Sequence, residues 1–339
     1  MMGTRNLLWI DGSHMSLRIQ GSVSKRIAWI DLGKGVGIVC VILGHMQIPD
    51  PMRKFIFSFH MPFFFLVSGY LQKVVPFRKF ISSRANGLIV PYLLYSLPSV
   101  ALLSLGGAQG LYALEECLRG NGVYSLWFLT SLFCISTLGW ILSRFCKNVL
   151  FKLAIAFFVA VIGWMCPFFR HSHFLSLHTW APGFVFWVCG CCLAQVDAIA
   201  WFRNLRPCWK FVICLSLVSI GVMCFLNDRV SLAAGQIGNP LIFYPVAMAL
   251  SCLLILVSSI FSWRSHLLEW MGRNSLSLMV LHMMIPVLMG IVLMSVGVGI
   301  SGGIEKIVMR ILNLGLLFGS VHLIDWHIPL LAGRKKLFV

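Results

Sequence analysis

The sequence predicts an all-α, polytopic membrane helix bundle of about ten transmembrane helices, with both termini cytoplasmic. Three observations carry this. Hydrophobic residues make up 59% of the 339-residue chain and charged residues 11%, against about 25% charged in an ordinary soluble domain. Apolar stretches approaching the roughly 20 residues that a ~30 Å hydrocarbon core demands follow one another along nearly the whole chain. The basic residues fall in short groups between those stretches and form no continuous stripe, a topology signal and not a nucleic-acid surface.

The spans are expected at 29–47, 54–72, 86–105, 123–143, 149–166, 181–197, 209–226, 239–261, 275–296 and 304–325. Each is bounded by charge, proline or glycine. The first follows Lys25-Arg26 and turns at Pro49-Asp50-Pro51, and the second closes at Lys73. Arg78, Lys79 and Arg84 precede the third, which ends at Gly106-Gly107; the fourth lies between Gly122 and Arg144, and the fifth between Lys147 and Pro167. The sixth ends at Asp197, the seventh follows Arg203 and Arg206, and the eighth runs from Pro240 toward Arg264. Arg273 precedes the ninth, and the tenth closes ahead of the basic group Arg334-Lys335-Lys336. With the N-terminus inside, 20 of the 27 basic residues are cytoplasmic, as the positive-inside rule requires. Residues 1–24 are expected to be a polar cytoplasmic segment, 25–330 the transmembrane domain, and 331–339 a basic cytoplasmic tail. The twelve cysteines sit mostly within apolar segments without paired CxxC spacing, so they read as small apolar packing groups and no metal is expected.

Ionisable groups inside spans are functional candidates by default, and the first hairpin has three. Lys34 and His45 are eleven residues apart, which at ~100° and ~1.5 Å per residue puts both on nearly one helix face, about 16 Å apart along the axis. Asp31 and Lys34 form an i, i+3 pair at the cytoplasmic end. The short turn brings His60 of the descending helix to a depth similar to that of His45. Pro62 frees the carbonyl of Ser58 and is expected to open the helix beside His60. Structural hydrogen bonding is the alternative for the histidines, and snorkelling to the interface the alternative for Lys34. On the outer side, 106–122 carries Glu115, Glu116 and Arg119, while 167–180 carries Arg170, His171, His173 and His178. These are either acceptor contacts or solvated loop residues.

Several strings recur in a known order: Ile30-Asp31-Leu-Gly-Lys34-Gly35, the ten-residue gap to His45, Phe59-His60-Met61-Pro62-Phe63-Phe64-Phe65, and Ser68-Gly69-Tyr70. Ile89-Val-Pro91-Tyr92, Ser125-Leu-Trp127-Phe128-Leu129, and Gly272-Arg273-Asn274-Ser275-Leu276 followed by His282 continue the series. The ordered set resembles the acyltransferase-3 family of membrane-bound acyltransferases, particularly its branch related to fucose and polysaccharide O-acetylases. The resemblance implies transfer of an acyl group, commonly acetyl, from cytoplasmic acyl-CoA (acetyl-CoA) to a hydroxyl of a carbohydrate or lipid-linked glycan in the cell envelope, from a multi-pass position in a bacterial inner membrane. It makes Lys34 and His45 the family's basic-x10-His motif, with His45 handling the proton, and matches His60 to the branch's FHMP histidine. One departure stands out: the family often has Arg-x-x-Arg before its Pro-Tyr, whereas Gly87 follows Arg84 here by three residues.

An alcohol is a poor nucleophile at neutral pH, and a neutral imidazole suits removal of its proton; covalent acylation of the imidazole is the other route. Donor phosphates need cations, and Lys34, Arg78, Lys79, Arg84 and Arg273 form that expected set. Trp127 and Phe128 either stack on a sugar or belong to an interfacial aromatic belt. His282 is a further acceptor-side candidate, against a helix-to-helix hydrogen bond. The expected partners are thus acyl-CoA, a glycan acceptor and membrane lipids, with no nucleic acid. A transporter of a polar or lipid-linked solute is the competing function, although no inverted repeat is evident between the chain halves.

Overall fold

A computed structural model describes residues 27–107, 109–260, 265–297, 302–334, 337 and 338. The expected segment 1–24 lies outside the described residues, as do Lys25, Arg26, Arg264, Lys335 and Lys336 of the topology argument. The described chain is helical: α1 (Ala28–Gly44), α2 (Asp50–Tyr70), α3 (Phe77–Arg84), α4 (Val90–Leu105), α5 (Gly110–Leu118), α6 (Trp127–Phe145), α7 (Val149–Met165) and α8 (Pro167–His171) come first. They are followed by α9 (Trp180–Gln195), α10 (Ala198–Asn204), α11 (Pro207–Val222), α12 (Pro240–Ile260), α13 (His266–Arg273), α14 (Ser275–Ser295) and α15 (Gly303–His327). Among the described residues, seven helical stretches are long and apolar enough to cross a membrane. The 17-residue α1 and α7 and the more polar α2, which opens with Asp50, Arg53 and Lys54, lie alongside them, so the count stands near ten. The chain is a multi-pass membrane protein.

Two of these elements differ from expectation. The cations Arg78, Lys79 and Arg84 are not in a loop before the third span: α3 continues through a π-helical turn at Ala85–Ile89 into α4, one helix from Phe77 to Leu105. The apolar run marks only where the hydrocarbon begins, whereas helical hydrogen bonding continues into the polar turns. Second, α2 passes through Pro62 without interruption.

Close helix crossings organise the bundle around the first hairpin. Where α1 meets α13, a Cβ at Gly35 would stand 2.0 Å from the Leu268 carbonyl oxygen, and one at Gly272 would stand 1.8 Å from that of Asp31. Where α2 meets α9, Gly69 and Gly190 make the same reciprocal approach to Trp187 and Leu66. In lipid, where apolar surface gains little by leaving one apolar medium for another, such small-residue contacts are a main source of helix association. Phe63, Phe65, Leu66, Phe186, Trp187 and Phe243 fill the centre and are almost wholly buried. α11 and α15 are the least enclosed spans.

Arg334, Leu337 and Phe338 lie at the end of the bundle that carries Ile27 and Arg84. Asn86, in the π-helical turn, accepts from the backbone N–H groups of Leu337 (2.5 Å) and Phe338 (2.9 Å) and donates to the Phe338 carbonyl (2.9 Å). Arg334 pairs with Asp325 and donates to Asn274 Oδ1 at 2.9 Å. Asn86 is 3% exposed, so this amide stands in for helix partners that the π turn rearranges.

Candidate active site

Three chambers that share wall residues lie along α1. The first is an open cavity of about 720 Å³ whose wall includes Asp31, Lys34, Gln72, Lys73, Lys79, Arg84 and Arg273. Local bonds fix its cations. Lys34 Nζ lies 3.9 Å from Asp31, Arg84 donates to Gln72 Oε1 at 2.6 Å and stands over the Phe80 ring, and Arg273 pairs with Glu269 at 3.7 Å. Lys34, Arg84 and Leu71 also border the second chamber, an apolar channel of about 220 Å³ walled by Phe64, Val67, Phe128, Leu129, Leu132 and Met279. Lys34 and Arg84 therefore stand where the wide mouth meets the apolar cavity.

Met279 is shared with the third chamber, about 150 Å³, which contains His45, His60 and His282 together with Tyr124, Ser125 and Trp127. His45 and His282 have ring centroids 4.9 Å apart. Phe57 touches both of the other rings edge-on, His45 at 5.5 Å and His60 at 4.9 Å. A carbonyl oxygen can only accept, so two tautomers follow from geometry. His60 Nδ1–H donates to Ile56 O at 2.8 Å, and His282 Nδ1–H donates to Met279 O at 2.6 Å. In each neutral ring the lone pair is then on Nε2. That atom of His282 is buried without a hydrogen-bond partner, a costly state unless a ligand supplies the donor. His45, at the C-terminal end of α1, is exposed into the cavities.

Met279 O also accepts from Ser125 Oγ at 2.5 Å, tying the 123–126 turn to the strand of backbone that orients His282. Next to that serine, Tyr124 holds a left-handed φ of 57°, uncommon for a residue with a Cβ and typical of strained functional positions. Its hydroxyl is buried without a partner in the wall of the imidazole chamber. Neither Tyr124 nor Ser125 stands out by spacing in the sequence as a site residue.

The other expected residues divide. Trp127 and Phe128 are buried, Trp127 in the imidazole chamber and Phe128 in the channel, so neither belongs to an interfacial belt. Arg78 is exposed on α3 and is not part of the mouth's wall. Glu115 and Glu116 lie apart from the imidazoles. Glu115 pairs with Arg119 at 2.6 Å, and buried Glu116 takes Asn121 Nδ2 at 2.6 Å and lies 3.6 Å from Arg119. These bonds close the turn through Gly120 and Gly122, both at positive φ. His178 lies 3.1 Å from the Ser172 and Ala233 carbonyls, and the loop it holds contributes Ser231, Leu232 and Ala233 to the chamber wall. Among the described residues no cluster of three or more His, Cys, Asp or Glu could hold a metal ion.

Comparison with known proteins agrees in class. The family model described as "Acyltransferase domain" matches residues 27–324. The chain is 27% identical over 225 residues to the nodulation protein NolL of Mesorhizobium japonicum, a match that covers 58% of this chain and 55% of that protein. The chain thus spans about half the length of the curated relative it matches. No solved structure matches.

Proposed function

The chain belongs to the acyltransferase-3 family, and on that premise we propose that it is a membrane O-acyltransferase of the bacterial inner membrane. It moves an acyl group, acetyl in the first instance, from cytoplasmic acyl-CoA to a hydroxyl of a cell-envelope glycan or its lipid-linked precursor. One observation carries the reading: a cation-lined mouth, an apolar bore and a three-imidazole chamber share walls in that order. The rise of about 16 Å from Lys34 to His45 is comparable with the reach of a coenzyme A arm.

In this reading Lys34, Lys79, Arg84 and Arg273 hold the donor phosphates, with Arg78 outside the wall adding only long-range attraction. His45 takes the proton of the acceptor hydroxyl as its oxygen attacks the thioester carbonyl carbon. The C–O ester bond forms, the C–S bond breaks, and the proton leaves His45 with the departing thiolate. His282, 4.9 Å away with its Nδ1–H committed to a carbonyl, stabilises the charge that His45 acquires. His60 is set by the same device on α2. No carboxylate lies in the described chamber wall, and backbone carbonyls orient His60 and His282. Trp127 and Phe128 pack against the transferring group.

Alanine at Lys34 or Arg84 is expected to raise KM for acetyl-CoA about 10- to 100-fold, the equivalent of one charge-assisted bond, with kcat within a few-fold. An unaltered KM in both variants, measured on purified protein with labelled acetyl-CoA, would rule out the anchoring role. Tyr124 supplies an uncommitted O–H at the chamber wall, suited to the oxyanion that develops on the thioester oxygen. Tyr124→Phe is expected to lower kcat about 100-fold, in line with the loss of one oxyanion donor, at constant KM for acetyl-CoA; steady-state kinetics would expose the opposite pattern.

A further inference from the structure

His45 and His282 have a second face. Besides lining the imidazole chamber, they border a cavity of about 360 Å³ between α1, α14 and α15. Its inner part is apolar, with Ile285, Leu314 and Leu317, and its outer part carries Lys306 and Arg310 on successive turns of α15. No acidic residue lines it. Arg310 reaches across to Gln47 in the α1–α2 turn at 2.8 Å, so one wall is a single side-chain bridge. Between the cations and the imidazoles, Asn313 Oδ1 is buried without a hydrogen-bond donor.

α15 is one of the two least enclosed of the seven long apolar helices among the described residues. Leu317 is seven residues from Arg310 and eleven from Lys306, which places the cations about 10 and 16 Å outward along α15 from that apolar floor. That interval fits a short saccharide. Its hydroxyl then meets the histidines, another hydroxyl donates to Asn313 Oδ1, and a phosphate meets Arg310 and Lys306. A lipid tail joined to that phosphate would run into the bilayer along the weakly enclosed α15.

We propose that this cavity is the acceptor portal and that its occupant is a saccharide joined through phosphate to a long isoprenoid lipid, entering sideways from the bilayer between α14 and α15. The proposal deepens the O-acyltransferase reading and rests on it for the acceptor's role, whereas the binding site itself does not depend on turnover.

The test is binding without catalysis. The purified chain in zwitterionic nanodiscs is offered a polyprenyl-phosphate-linked hexose, the same hexose 1-phosphate without lipid, and the parent polyprenol without phosphate, with retention read by native mass spectrometry. Retention of the lipid-linked phosphate at least about tenfold better than of either fragment is expected. Lys306→Gln/Arg310→Gln should erase the preference over polyprenol while acetyl-CoA binding stays at the wild-type level. If that double variant fails to fold, Lys306→Glu, on an exposed outer turn, should still lower the preference several-fold. Equal retention of polyprenol, or a preference that survives these changes, overturns the portal. Should the wild type bind selectively yet acetylate no acceptor, the portal stands and the transferase reading falls.

Discussion

His45→Ala is expected to cut acyl transfer by about 10³-fold, within the range that a positioned general base supplies, while acetyl-CoA affinity changes less than about twofold. The separation is the point. Lys34 and Arg84 line the mouth and the apolar cavity beside it, where the proposed donor would be held, and His45 lines the chambers beyond Met279. A residue that helped to bind the donor would move KM; one that removes the acceptor's proton moves kcat. His282→Ala should fall between wild type and His45→Ala, because it removes the neighbour that stabilises the charged ring and leaves the base in place. Labelled acetyl-CoA, a panel of glycans and purified protein suffice for the measurement. Transfer by His45→Ala within tenfold of wild type would remove this histidine from the chemistry. Acid quenching in the absence of acceptor, followed by peptide mapping, separates direct transfer from an acyl-histidine on residue 45.

Gly272→Val is expected to lower acetyl-CoA affinity by at least about tenfold, roughly 1.4 kcal/mol, and to depress thermal stability by several degrees. Even a Cβ at Gly272 would sit 1.8 Å from the Asp31 carbonyl oxygen, and in the partner contact a Cβ added at Gly35 would sit 2.0 Å from Leu268 O. Backbone atoms have no rotamer to escape into, so α13 must lift from α1; overpacking of this kind costs typically 1–3 kcal/mol or more. Each glycine is the chain neighbour of a mouth cation, Gly35 of Lys34 and Gly272 of Arg273. Lifting α13 therefore spreads Lys34 and Arg273, the cations proposed to hold the donor phosphates, before it unfolds anything. Gly315→Val, at a site where a Cβ meets nothing within 4 Å, is the matched control. Wild-type donor affinity and melting temperature in Gly272→Val would mean the crossing tolerates separation.

The first hairpin could be placed from helix arithmetic because every quantity needed was local: the eleven-position step from Lys34 to His45, and a five-residue link before α2. His282 was visible as a polar residue in an apolar span, but its ring contact with His45 joins residues 237 positions apart, and no periodicity encodes that. The π-helical turn was hidden for a related reason. Its Asn86 bonds to Leu337 and Phe338, partners 251 and 252 positions away that no local pattern displays. Arg78 looked equivalent to Lys79 and Arg84 because charge, and not the direction of a side chain from its helix, is what a sequence displays. Glu116 carried an acid in an outer segment, and only the bond to Asn121 shows it closing a turn.

That distant partnership sets an order of events during biogenesis. Residues 31–84 supply much of the donor mouth early in synthesis, yet Arg273 joins its wall far later, and the turn that carries Asn86 is completed by residues 337 and 338. A nascent chain that has inserted its first spans holds the histidine hairpin in the bilayer without a finished cation site. The hairpin is therefore in place before the wall that Arg273 shares with Lys34, Lys79 and Arg84 is complete.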